Sequence, residues 1–144
     1  ALMNIPVALI STSPKDMLDR PATLDWLRRH GVHTAGEPCT GYLFCGEPVA
    51  LELPLSSCNN EAAVRRLTAN GGLLLLNPIP EKERVQDRSI LVDAIKAGKQ
   101  AEAEGHYYHP AANGEIDRRT DGYSSRIQLE SIQQNYLLAK SIMD

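Results

Sequence analysis

Four consecutive leucines, Leu73 to Leu76, stand between Gly71-Gly72 and Asn77-Pro78. A run this short, fully apolar and bounded by turn formers, is a strand with no polar face, and such a strand must be covered on both sides. That requirement fixes the class. A parallel or mixed sheet between helical layers supplies the cover, so the chain is expected to be an α/β layer fold.

The flanking segments agree with this frame. Val7 to Ile10 is apolar and ends at Ser11-Thr12-Ser13-Pro14, which reads as a buried strand leading into a loop. Pro21 opens a helix expected over Ala22–His30 and stopped by Gly31. Val32 to Ala35 and Val49 to Leu53 read as short strands, and Asn59-Asn60-Glu61 starts a helix that Asn70-Gly71-Gly72 ends. Asp87 to Glu104 carries Ile90, Leu91, Ala94, Ile95 and Ala101 at helical spacing and predicts a long amphipathic helix. Gly105 to Tyr123 reads as irregular or weakly helical. Ser124 or Ser125 is expected to cap a last helix whose Leu129, Ile132, Tyr136, Ala139 and Met143 form one apolar stripe.

At 144 residues this is one domain, residues 1–144. With 42% hydrophobic and 23% charged residues the chain is neither disordered nor membrane-embedded, and a net charge of −3 offers no field for nucleic acid or anionic lipid. Three cysteines without a C-x-x-C pair argue against a disulfide framework or a zinc ribbon. No signal-like segment opens the chain, so a cytoplasmic location is expected. The first strand begins almost at the first residue, as though the chain started in the middle of a larger α/β/α architecture.

Loops beyond the carboxyl ends of strands carry the chemistry of such sheets. In the first, Lys15 follows a buried strand directly; apolar walls there would free its amine to attack an aldehyde and form a Schiff base. The same spacing also fits a solvated lysine beside Asp16, and residue types alone do not choose. The second loop, Asn77-Pro78-Ile79-Pro80-Glu81, is stiffened by two prolines and offers a carboxamide that both donates and accepts. His30 with His33, and His106 with His109, have no carboxylate cluster at fixed spacing and point to no metal site. Cys39 and Cys45 read as buried thiols, and Cys58, beside a helix start, as the one whose pKa a helix dipole would lower. Nucleophile-elbow, Walker A and dinucleotide-binding motifs are lacking.

Several stretches together resemble one family. Val7-Ala8-Leu9-Ile10-Ser11-Thr12-Ser13-Pro14-Lys15-Asp16, then Thr23-Leu24-Asp25-Trp26-Leu27, then Asn70-Gly71-Gly72-Leu73 through Asn77-Pro78-Ile79-Pro80-Glu81, resemble the C-terminal half of the pseudouridine-5'-phosphate glycosidases, the indigoidine synthase A-like proteins. Ile127-Gln128-Leu129 adds a weaker match.

The resemblance implies reversible cleavage of the carbon–carbon bond between uracil and ribose 5-phosphate. Lys15 falls on the family's Schiff-base lysine, and the substrate is a sugar or nucleoside phosphate. It further implies a glutamate acid and a manganese-holding aspartate, both in the half upstream of Lys15 and so not in this chain. A homo-oligomer, a trimer in the family, or association with the missing N-terminal half is the expected assembly. Two departures stand out: Arg126 replaces the family asparagine near the sugar, where an arginine suits a phosphate but lacks a carboxamide's acceptor, and Gly41 to Gly46 replaces an aromatic segment. The alternative is a noncatalytic binding or assembly module that kept the fold.

Overall fold

The computed structural model describes residues 2–144. Its centre is the leucine run, strand β4 (Leu73–Leu76), with all four residues buried. Strand β1 (Ala8–Ser11) pairs with it in parallel on one side, and β2 (His33–Gly36) on the other. A two-residue strand, β3 (Leu53–Pro54), completes a four-stranded parallel sheet of order β1-β4-β2-β3. Alternation along β4 divides the cover. Leu74 and Leu76 pack with Leu24 of helix α1 (Arg20–Arg29), whereas Leu73 and Leu75 pack with Cys58, Val64 of helix α2 (Glu61–Leu67) and Ile142 of helix α5 (Tyr123–Met143).

Helix starts follow local chemistry. Asp19, Asn60 and Asp87 accept backbone N–H bonds at the starts of α1, α2 and α3 (Arg88–Ala103), leaving fewer orphan donors in each first turn. Cys58 lies ahead of α2 on a 3-10 turn, and burial pushes its thiol pKa up rather than down. A dipole effect reaches only a group within the first turn, and desolvation of the thiolate prevails here.

Val49 to Leu53 is not a strand: Val49 makes an isolated antiparallel bridge with Cys39, and β3 begins only at Leu53. Gly105 to Tyr123, expected to be irregular or weakly helical, contains a regular helix, α4 (Tyr108–Arg119), which lies along α3 with the Tyr108 ring seated against Gly98. No side chain caps α4. Its order comes from burying Ala112 and Ile116 among Ile90, Leu91 and Ala94, so packing outweighs propensity.

The last helix differs at its start. Its cap position is Gly122 in a left-handed conformation, and Ser124 donates to Asp117 of α4, which also accepts the Ser125 N–H. Two hydrogen bonds from serine hold the Asp117 carboxyl below its ordinary pKa. The expected apolar stripe is present and faces outward: Leu129, Ile132, Tyr136 and Met143 are 63 to 72% exposed, while Ser124, Ile127, Ser131 and Ile142 face the core. Among the described residues no helix is long and apolar enough to cross a membrane.

Candidate functional site

Parallel pairing of β1 with β4 places Ser11 opposite Leu76, so both strands leave the sheet together. The Asn77 N–H donates to the Ser11 carbonyl at 2.8 Å and ties the two exits. The loops carrying Lys15 and Asn77 therefore emerge as neighbours at the carboxyl edge, where an α/β sheet presents its reactive groups.

Lys15 is half-buried and lines a small pocket with Asp16, Met17, Tyr42, Leu91, Asn113 and Gln128 among its walls. Asp16 is not its partner. One carboxylate oxygen accepts the Tyr42 N–H at 2.9 Å, and the other accepts those of Leu43 and Phe44 at 2.8 and 3.0 Å. This clamp explains Gly41, which adopts φ +134° against the Phe44 carbonyl where a side chain would collide. Among the described residues Lys15 forms no ion pair, and the pocket walls are apolar on the Met17 and Leu91 side. Tyr42 has its phenol pKa raised, first by burial and then by the charge of Asp16.

Asn77 opens onto a second, more polar cleft with Pro78, Ile79, Pro80, Glu83, Glu130 and Gln134. Helix α5 forms the wall between the two hollows: Gln128 faces the first, while Ile127 and Ser131 face the second. Three residues that the sequence reading passed over bind the exits to this helix. Asn77 donates to the Asn135 carboxamide oxygen at 3.1 Å, Asn135 donates to the Thr12 hydroxyl at 3.2 Å, and Thr12 donates to Ser131 at 3.1 Å. A polar Ser131 and Asn135 four apart on the same helical face as Ile127 and Ile142 was the available sequence signal.

Arg126 is not brought to this group. Its side chain is 67% exposed, lies 3.9 Å from Glu130 and sits over the Tyr123 ring at 5.1 Å, and it lines neither hollow. Buried Arg84 is structural, donating to the Ile79 carbonyl and the Thr40 hydroxyl. The described residues contain no cluster of three or more His, Cys, Asp or Glu that could hold a metal ion, and the Asp16 carboxylate beside Lys15 in sequence already accepts three backbone amides. These residues do not fit a manganese centre.

Residues 1–143 match the family model of indigoidine synthase A like proteins. The chain belongs to that family. Curated members similar to it include the pseudouridine-5'-phosphate glycosidases of Geobacillus kaustophilus, 24% identical, and Methylobacterium nodulans, 28% identical, each aligned with 98% of this chain. The alignments cover 50 and 45% of those proteins, so the chain spans about half the length of the curated relatives it matches. Among solved structures, an indigoidine synthase A-like protein from Thermotoga maritima superposes with a TM-score of 0.70 at 19% identity, covering 98% of this chain and 50% of that one. The prealnumycin C-glycosynthase AlnA, solved with ribulose 5-phosphate, superposes with a TM-score of 0.66 at 22% identity, covering 97 and 48%. These two likenesses establish the indigoidine synthase A-like fold for the sheet and its helices.

Proposed function

We propose that this chain is the lysine-bearing half of a pseudouridine-5'-phosphate glycosidase-like enzyme, acting on a sugar or nucleoside phosphate and completed by the other half of the family architecture. The observation that carries the reading is Lys15, half-buried and free of a carboxylate partner in a pocket at the carboxyl edge of the sheet. Family membership and the glycosidase relatives support it.

In the bond-making direction Lys15 Nζ, after giving up a proton, donates its lone pair to C1 of open-chain ribose 5-phosphate, and water leaves to give an iminium. A uracil carbon attacks that iminium carbon, a base takes the ring proton, and a sugar hydroxyl then closes the ring and expels the amine. Each step is reversible, and the cationic nitrogen is the electron sink. Asn77, held by Asn135, is assigned to hydrogen-bond the sugar phosphate at the neighbouring cleft, and Arg126, exposed outside both hollows, would have to swing in to reach that phosphate.

Borohydride reduction with ribose 5-phosphate tests the assignment. A reduced sugar adduct is expected on the peptide containing Lys15 and on no peptide of Lys15→Ala. Absence of the adduct, with the other half of a relative supplied, overturns it. A second reading, a noncatalytic assembly module that kept the fold, is favoured by Arg126 standing outside both hollows; it requires every function of the chain to survive Lys15→Ala.

A further inference from the structure

Strand β1 is parallel, yet only one of its faces is covered. Ala8 and Ile10 pack toward α2 and α5, but Val7 and Leu9 on the opposite face are 40 and 47% exposed. Parallel sheets are otherwise sandwiched between helices, because their strands are apolar on both faces. The edge is open too. The carbonyl of Val7 accepts from Leu73 of β4 and that of Ser11 from Asn77 just beyond it, and alternation turns the backbone groups of Ala8 and Ile10 outward.

Around this edge runs an apolar groove from Pro6 and Val7 to Val64 of α2 and to Ala139 and Met143 of α5. It leads into the outward stripe of α5, where Leu129, Ile132, Tyr136, Ala139 and Met143 repeat at alternating steps of three and four. That spacing is a seam for another helix. Its flanking positions Gln133 and Lys140 carry no carboxylate, so an apolar neighbour meets no buried anion there.

We infer that the β1 edge and the α5 stripe form one continuous docking surface for the half of the family polypeptide that these 144 residues do not include. The inferred partner lays a strand beside β1, covers Val7 and Leu9, and sets an apolar helix on the α5 seam. The occupant follows from the comparisons: nearly all of this chain aligns with about half of proteins roughly twice as long, so its fold is one part of a larger body. The inference rests on the proposed function for the partner's identity, and only for that.

The test mixes the 144-residue chain with separately produced unmatched halves of the Geobacillus kaustophilus, Mesorhizobium japonicum and Escherichia coli relatives. Light scattering should give a one-to-one complex with at least one of them, and amide exchange at Ala8 and Ile10 should slow about tenfold or more on binding. Leu9→Lys and Ile132→Glu, both at exposed positions, should each weaken the complex about tenfold or more, whereas Val92→Glu on α3 should not. Lys15→Ala should bind normally, so that loss of the sugar adduct and loss of docking are separate results. No complex with any of the three halves, a complex indifferent to both substitutions, or self-association of the chain through the same residues would overturn the inference.

Discussion

Strands β1 and β4 lie side by side in register and have similar apolar sequences, yet they occupy opposite situations. Leu73, Leu75 and Leu76 of β4 are at most 1% exposed, while Leu9 of β1, paired with Leu74, is 47% exposed. Equal hydrophobicity therefore does not mean equal burial. What differs is the number of neighbours: β4 has a strand on each side and helices on both faces, and β1 has one of each. The contrast locates where the fold is closed upon itself and where it awaits another surface.

Substitution gives the sharpest measure of that difference. Leu75→Ala opens a cavity at a fully buried position and should cost about 2–5 kcal/mol in urea unfolding. Leu9→Ala in the isolated chain should cost less than about 0.5 kcal/mol, as exposed positions do. Comparable losses at the two positions would erase the distinction and show that Leu9 is already covered.

Next in size is the polar tie at the mouth of both strands. Thr12→Val keeps the shape but removes the hydroxyl that accepts from Asn135 and donates to Ser131. Leaving partly buried partners unpaired should cost about 1–3 kcal/mol, and amide exchange should quicken at the end of β1 more than in β4. If both strands loosen equally, the tie to α5 is not what steadies the β1 exit.

The sequence made β4 legible to the residue because Gly-Gly and Asn-Pro punctuate an unbroken apolar run. It also placed Lys15 and Asn77 correctly as strand-end residues, since a parallel sheet gathers such ends on one edge. Helix α4 was hidden because Pro110 and Gly114 lower its propensity and no capping side chain precedes it; its order is imposed by α3. The network of Thr12, Ser131 and Asn135 joins residues 119 and 123 positions apart, which no local pattern records. Helix α5 was legible as a helix, but the direction its stripe faces was not. It has two stripes of similar spacing, and the more apolar one faces outward, because the inner one supplies the serine and asparagine that hold the strand ends.

The smallest expected effect concerns α5 as the cover on the inner face of β1. Asp117 accepts from Ser124 Oγ at 2.8 Å and from the Ser125 N–H at 3.1 Å, pinning the first turn of α5 to α4. These bonds favour the carboxylate and lower its pKa below the ordinary 3.8. In the unfolded chain the group titrates near that ordinary value, so ionised Asp117 stabilises the fold above about pH 4. The contribution drains away as pH falls through the lower folded-state value. Asp117→Ala should therefore reduce the melting temperature slightly at pH 7, with the gap to the parent narrowing below about pH 4. Fraying should reach the start of α5 first, then the end of β1 through Ser131 and Thr12, and leave the centre of β4 untouched. A gap that stays constant across this range would mean that the bonds of Asp117 act as neutral contacts. The two strands would then differ through burial alone, with no share of the difference carried by the charge that anchors their common helix.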